Sequence, residues 1–88
     1  MHDVMGRINA LLAEAQEASR QPDHAATLLS VVDVLQAVRD QASRGDLSRR
    51  KLAKHGRELQ RIVLEDKPLA EGHLGQRLLN LSSQLMGD

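Results

Sequence analysis

Residues 23–43 read DHAATLLSVVDVLQAVRDQAS, and how this stretch folds decides the architecture of the chain. Wound at 3.6 residues per turn, Ala25, Leu28, Leu29, Val31, Val32, Val34, Leu35, Val38 and Ala42 cover well over half of a helix circumference. A helix that apolar is expected to be surrounded by neighbours, which makes it the expected centre of the fold. Pro22-Asp23 opens it, with Asp23 placed to cap its N-terminus. Gly45 suits the left-handed position just past its end.

Three more helices follow from the same periodicity. Val4, Ile8, Leu11, Ala15 and Ala18 step by four and three, a narrow apolar stripe on a helix over about 3–20. Beyond Gly45 the next helix starts at Asp46 or Ser48; with Ser48 as the cap, Leu47 and Leu52 are spaced as a hydrophobic staple, and the helix runs over about 48–64. Glu65-Asp66-Lys67-Pro68 reads as the next turn, and a fourth helix covers about 69–86, its first turns weakened by Gly72 and Gly75. The connections are short, so consecutive helices are expected to pack antiparallel. The prediction is an all-α chain, one domain over 1–88, folded as a small four-helix bundle built from two αα-hairpins. An offset of 46 sets Pro22 on Pro68 and Leu28 on Leu74, but it also sets Ile8 on Lys54 and Leu12 on Glu58. The halves are not a repeat.

Composition agrees with this reading. The 88 residues include no Cys, Phe, Tyr or Trp, so the core must be aliphatic, without help from disulfides or thiolate metal sites. No run reaches the ~18 apolar residues of a membrane span. The richest, 26–35, is cut by Asp33, and the N-terminal apolar positions are interrupted at Asn9 and Glu14. A soluble, cytoplasmic protein without membrane association is therefore expected.

Net charge is zero but unevenly laid out. Residues 1–33 hold two basic and five acidic side chains, 34–61 hold eight and three, and 62–88 hold two and four. The basic centre falls on LSRRKLAKHGRELQRI, residues 47–62. At 100° per residue Arg50, Lys54, Arg57 and Arg61 form a stripe about 60° wide, opposite Leu52, Gly56, Leu59, Ile62 and Val63. Arg50–Lys54 and Arg57–Arg61 are like-charge pairs four apart, each unfavourable by a few tenths of a kcal/mol. Arg49, Arg50 and Lys51 crowd the first turn, where the helix dipole is already positive. Breaking two local rules in one segment is characteristic of functional constraint. Arg49, Arg50, Lys51, Lys54, Arg57 and Arg61 are thus the candidate anion- or partner-binding residues. The competing expectation is a solvated face, or one paired with the acidic ends of the same chain.

A helix-turn-helix does not fit, because Arg57-Glu58-Leu59 continue the helical pattern past Gly56 without turn chemistry. Single-strand binding lacks its aromatic platforms. What is left for nucleic acid is phosphate contact without base readout. A protein partner with an acidic surface is the preferred expectation and nucleic acid the alternative.

On the fourth helix Leu74, Leu78, Leu81 and Leu85 suffice to join the core. A second seam, Gly75, Leu79, Ser82 and Met86, lies about 100° round. Arg77 is the one charged residue between Gly72 and Gly87. Charge depletion with retained amides and hydroxyls is the composition of an interface centre. The seam is therefore the candidate protein interface, with a homodimer the expected assembly. The competing expectation is that the first and second helices of the same chain wrap the fourth on both sides.

Chemistry is not announced. His2, His24, His55 and His73 offer no metal-ligand spacing, and no metal or cofactor is expected. Glu14, Glu17 and Asp33 fall on polar faces, and the serines have no base beside them and no Gly-rich loop. No catalytic residue is assigned, and the expected role is that of a small regulatory or adaptor-type interaction protein.

Overall fold

The computed structural model describes residues 2–46 and 48–87. It is an all-α bundle: α1 (His2–Ala18), α2 (Ala25–Ser43), α3 (Arg49–Glu65), a short α4 (Lys67–Glu71) and α5 (His73–Leu85). The four long helices contact one another in the cyclic order α1, α2, α3, α5, with α4 packed on α3 and α5. Helices α1 and α3 therefore lie diagonally across the bundle. The radius of gyration, 12.0 Å, is the roughly 12 Å expected of a compact chain this long.

Local chemistry explains most boundaries. The Ser48 hydroxyl accepts the Lys51 N–H at 3.2 Å and starts α3. Gly45, at φ +69°, ends the turn after α2 in the left-handed region where a Cβ is disfavoured. Asp23 does not cap α2: Pro22–His24 form a single 3-10 turn, and no side chain caps the helix that follows. The expected Leu47–Leu52 staple involves a residue outside those described.

The fourth helix is two. Asp66 caps α4 by accepting the Leu69 N–H, and Pro68 fits its first turn. Gly72 then adopts an extended ψ of 172° and separates α4 from α5. Gln76 Nε2 donates to the Ala70 carbonyl at 2.7 Å, occupying one of the acceptors freed at the break. The two segments meet so closely at Gly75 that a Cβ there would overlap the Leu69 carbonyl.

The core is aliphatic throughout. Ile8, Leu11 and Ala15 of α1 meet Val31, Leu35 and Val38 of α2, Leu59 and Val63 of α3, and Leu78 and Leu81 of α5, all fully buried. Helix α2 is not encircled as its sequence suggested. Leu29 is 55% exposed, and Ala26, Ser30, Asp33 and Asp40 share its solvent side. Helix α2 is one corner of the bundle, and its most apolar arc simply extends past the contact with α1 and α3.

Candidate functional site

Helix α3 buries Gly56, Leu59 and Val63, packs Leu52 and Ile62 partly against the core, and leaves its opposite face to solvent. Arg49, Arg50, Lys54, Arg57 and Arg61 are all exposed. Along the axis, Arg50 to Arg61 spans roughly 16 Å at 1.5 Å per residue. Lys54, Arg57 and Arg61 surround a shallow depression with Glu58.

Lys51 separates from the group. Its ammonium lies 2.8 Å from Asp46 Oδ1, and that hydrogen bond and charge hold the Asp46 carboxyl below the usual carboxylate range. Among the described residues, no carboxylate lies within ion-pair distance of Arg49, Arg50, Lys54, Arg57 or Arg61. Glu58 and Glu65 are close in sequence, yet neither closes on the stripe. Pairing with the acidic ends of the chain also fails among these residues, since Glu14 is taken by Arg77 and Glu17 by Arg20.

One apolar residue extends the cationic surface. Leu64 is 55% exposed, and it follows Arg50 and Arg57 at successive steps of seven, almost in line on the helix face. The solvent side of α3 is therefore a row of cations that ends beside an exposed leucine and the exposed acid Glu65.

The expected partner seam of Gly75, Leu79, Ser82 and Met86 is largely consumed inside the chain. Gly75 is buried over the Leu69 carbonyl. Ser82 is 0% exposed, and its hydroxyl is satisfied by the Leu79 carbonyl at 2.7 Å. The Ser82 carbonyl and the Met86 side chain close over Gly56 of α3. Leu79 and Met86 are half-buried along the same contact. Small residues here let α3 and α5 approach one another, so the seam no longer argues for a homodimer.

Two histidines, His55 and His24, tie elements of the bundle together. His55 donates Nε2–H to Gln41 Oε1 at 3.1 Å, tying α3 to α2, while its buried Nδ1 meets no donor among the described residues. His24 Nδ1 lies 2.9 Å from Asp66 Oδ2 and ties the 3-10 turn to the start of α4. Burial pushes the Asp66 pKa up, but hydrogen bonds from His24, Thr27 and the Leu69 N–H together outweigh it and hold the carboxyl below its usual range. The unfolded chain then binds the proton more readily. Asp66 stabilises the fold fully above the unfolded carboxylate pKa, about 3.9, and this contribution is lost as pH falls through the lower folded value. A thermal-melt series should show Tm dropping at the acid end, and Asp66→Asn should flatten that drop. An identical acid profile in the variant would remove Asp66 from this role.

Among the described residues no three His, Asp or Glu side chains converge as a metal site, and no helix is long and apolar enough to cross a membrane. Two cross-helix rungs correspond to no motif in the sequence. Arg7 Nη1 donates to Gln84 Oε1 at 2.8 Å, and Arg77 Nη1 donates to both Glu14 oxygens at 2.6 and 2.7 Å. They join α1 to α5 on the side of the bundle away from the α3 stripe. No protein-family model, curated protein or solved structure matches this chain.

Proposed function

We propose that the protein is a non-enzymatic interaction module that docks an acidic segment of another protein on the solvent face of α3. The observation that carries this reading is the row Arg50, Lys54, Arg57 and Arg61, exposed, without ion-pair partners among the described residues, and ending on exposed Leu64. Unpaired cations held on a rigid helix attract an anionic chain at long range and set its register. An exposed leucine at the end of the row offers a protein segment an apolar anchor. Phosphates would gain nothing from it, so Leu64 favours a protein over nucleic acid as the partner. Helix α3 also runs unbroken through Gly56, so it contains no turn from which a helix-turn-helix could present a second helix to a groove.

Fluorescence anisotropy tests this directly. The protein is titrated separately into a labelled Glu-rich peptide carrying spaced leucines, a labelled DNA duplex and a labelled RNA duplex, across roughly 50 to 200 mM salt. The peptide should bind, should weaken with salt, and should weaken again with Leu64→Ser. Duplex binding with a steep salt slope and no response to Leu64→Ser would move the stripe to phosphate contact. Absence of binding to every probe at low salt would leave α3 as a solvated face.

A further inference from the structure

The two rungs between α1 and α5 frame a cleft of about 360 Å³ lined by Arg7, Leu11, Arg77 and Asn80. Positions 7 and 14 on α1, and 77 and 84 on α5, are each seven residues apart. The rungs therefore stand roughly 10 Å apart along the helices. Leu11, fully buried, forms the floor between them, and Asn80 brings a side-chain amide to the same interval from α5. Each guanidinium has a hydrogen-bond partner on the opposite helix, which draws it over the α1–α5 groove. Each rung engages one Nη1, and the remaining N–H groups are left as further donors. The described partner of Arg7 is the neutral amide of Gln84, which leaves its charge whole.

We propose that this cleft binds a small oxyanion, a carboxylate or a phosphate, between the Arg7 and Arg77 guanidiniums. Arg7 supplies the uncompensated charge and Asn80 a neutral donor. Glu14 sets the limit of the site. It shares Arg77 and repels a second negative group, so a singly charged head fits better than a polyanion. The site lies across the bundle from the α3 stripe and does not depend on it.

The test is ¹H–¹⁵N NMR of the whole protein, following arginine Nε–H and asparagine side-chain signals. Sodium phosphate and sodium butyrate are titrated separately, each against sodium chloride at matched ionic strength. Arg7, Arg77 and Asn80 should shift and saturate with one salt or both, and the pattern identifies which head group the cleft prefers. Arg7→Gln should weaken that binding roughly tenfold or more, the loss of a charge-assisted hydrogen bond. Glu14→Gln should tighten it roughly two- to fivefold by releasing Arg77, a gain that a damaged fold would not produce. Arg57→Glu/Arg61→Glu should leave it unchanged. Equal shifts at every arginine, affinities indifferent to both cleft variants, or no shift beyond chloride would overturn the assignment.

Discussion

Gly75→Ala is expected to be the most damaging glycine-to-alanine change in this chain. A Cβ at position 75 would overlap the Leu69 carbonyl oxygen and stand 2.6 Å from its carbon and 2.9 Å from the Ala70 Cα. All three are backbone atoms, so no rotamer change relieves the overlap, and α4 must move off α5. Overpacking of this kind costs about 3 kcal/mol or more, against a gain near 1 kcal/mol from replacing a helical glycine. An 88-residue chain has roughly 4–13 kcal/mol in total, and each kcal/mol moves Tm by about 4–8 °C, so the net loss of about 2 kcal/mol should lower Tm by roughly 8–16 °C. Gly56→Ala should lie between this and neutrality. Its Cβ meets the Ser82 carbonyl at 2.8 Å and the Leu85 Cβ at 3.0 Å, but its third close neighbour, Met86 Cγ, belongs to a flexible side chain. Gly6→Ala is the control, since nothing lies within 4 Å of the added methyl, and it should raise stability by roughly 0.5–1 kcal/mol. Chemical denaturation of the three variants ranks them. A neutral Gly75→Ala would mean that α4 and α5 do not meet as described.

That ranking also marks the boundary of what the sequence could convey. Gly72 and Gly75 were legible as weak helix formers, because propensity belongs to the residue. What Gly75 does depends on the path of α4 six residues earlier, and no spacing rule encodes that approach. Ser48 and Gly45 were readable for the opposite reason: cap and left-handed turn are satisfied within a few residues. Leu29 departs from expectation because an apolar arc records what a helix can bury, while the number of neighbours decides what it does bury. The seam at Ser82 and Met86 departs similarly. Small residues permit close approach by any helix, and here the helix is α3 of the same chain.

The candidate site divides along the same line. The alignment of Arg50, Lys54, Arg57 and Arg61 is a property of one helix and was visible from spacing alone. Their lack of partners was not, because it turns on where Glu14, Glu17 and Asp46 go. Lys51 shows the difference, sharing their sequence neighbourhood yet closing on Asp46. The Arg7–Gln84 and Glu14–Arg77 rungs join residues 77 and 63 positions apart, and each side chain taken alone looks like ordinary helix surface.

The α3 stripe should show function and stability pulling in opposite directions. In Arg50→Glu/Arg57→Glu, two like-charge contacts become Glu–Lys and Glu–Arg pairs at i,i+4, with the acid N-terminal as favoured geometry requires. The first of these substitutions also replaces a cation in the opening turn with an anion that the helix dipole welcomes. Each pair is worth about 0.3–0.5 kcal/mol and the dipole term about 0.3–1, so the variant should be more stable than the native chain by roughly 1 kcal/mol. The increment should shrink as salt is raised. The same two changes take the stripe from four positive charges to none, and affinity for the acidic peptide at low salt should fall roughly 100-fold. Denaturation and anisotropy on the same preparations give both numbers. A stabilised variant that no longer binds is what a helix shaped by its partner requires, because the native residues then keep a repulsion that folding alone would discard. A variant that binds as well as the native chain would detach the stripe from partner recognition, whatever its stability.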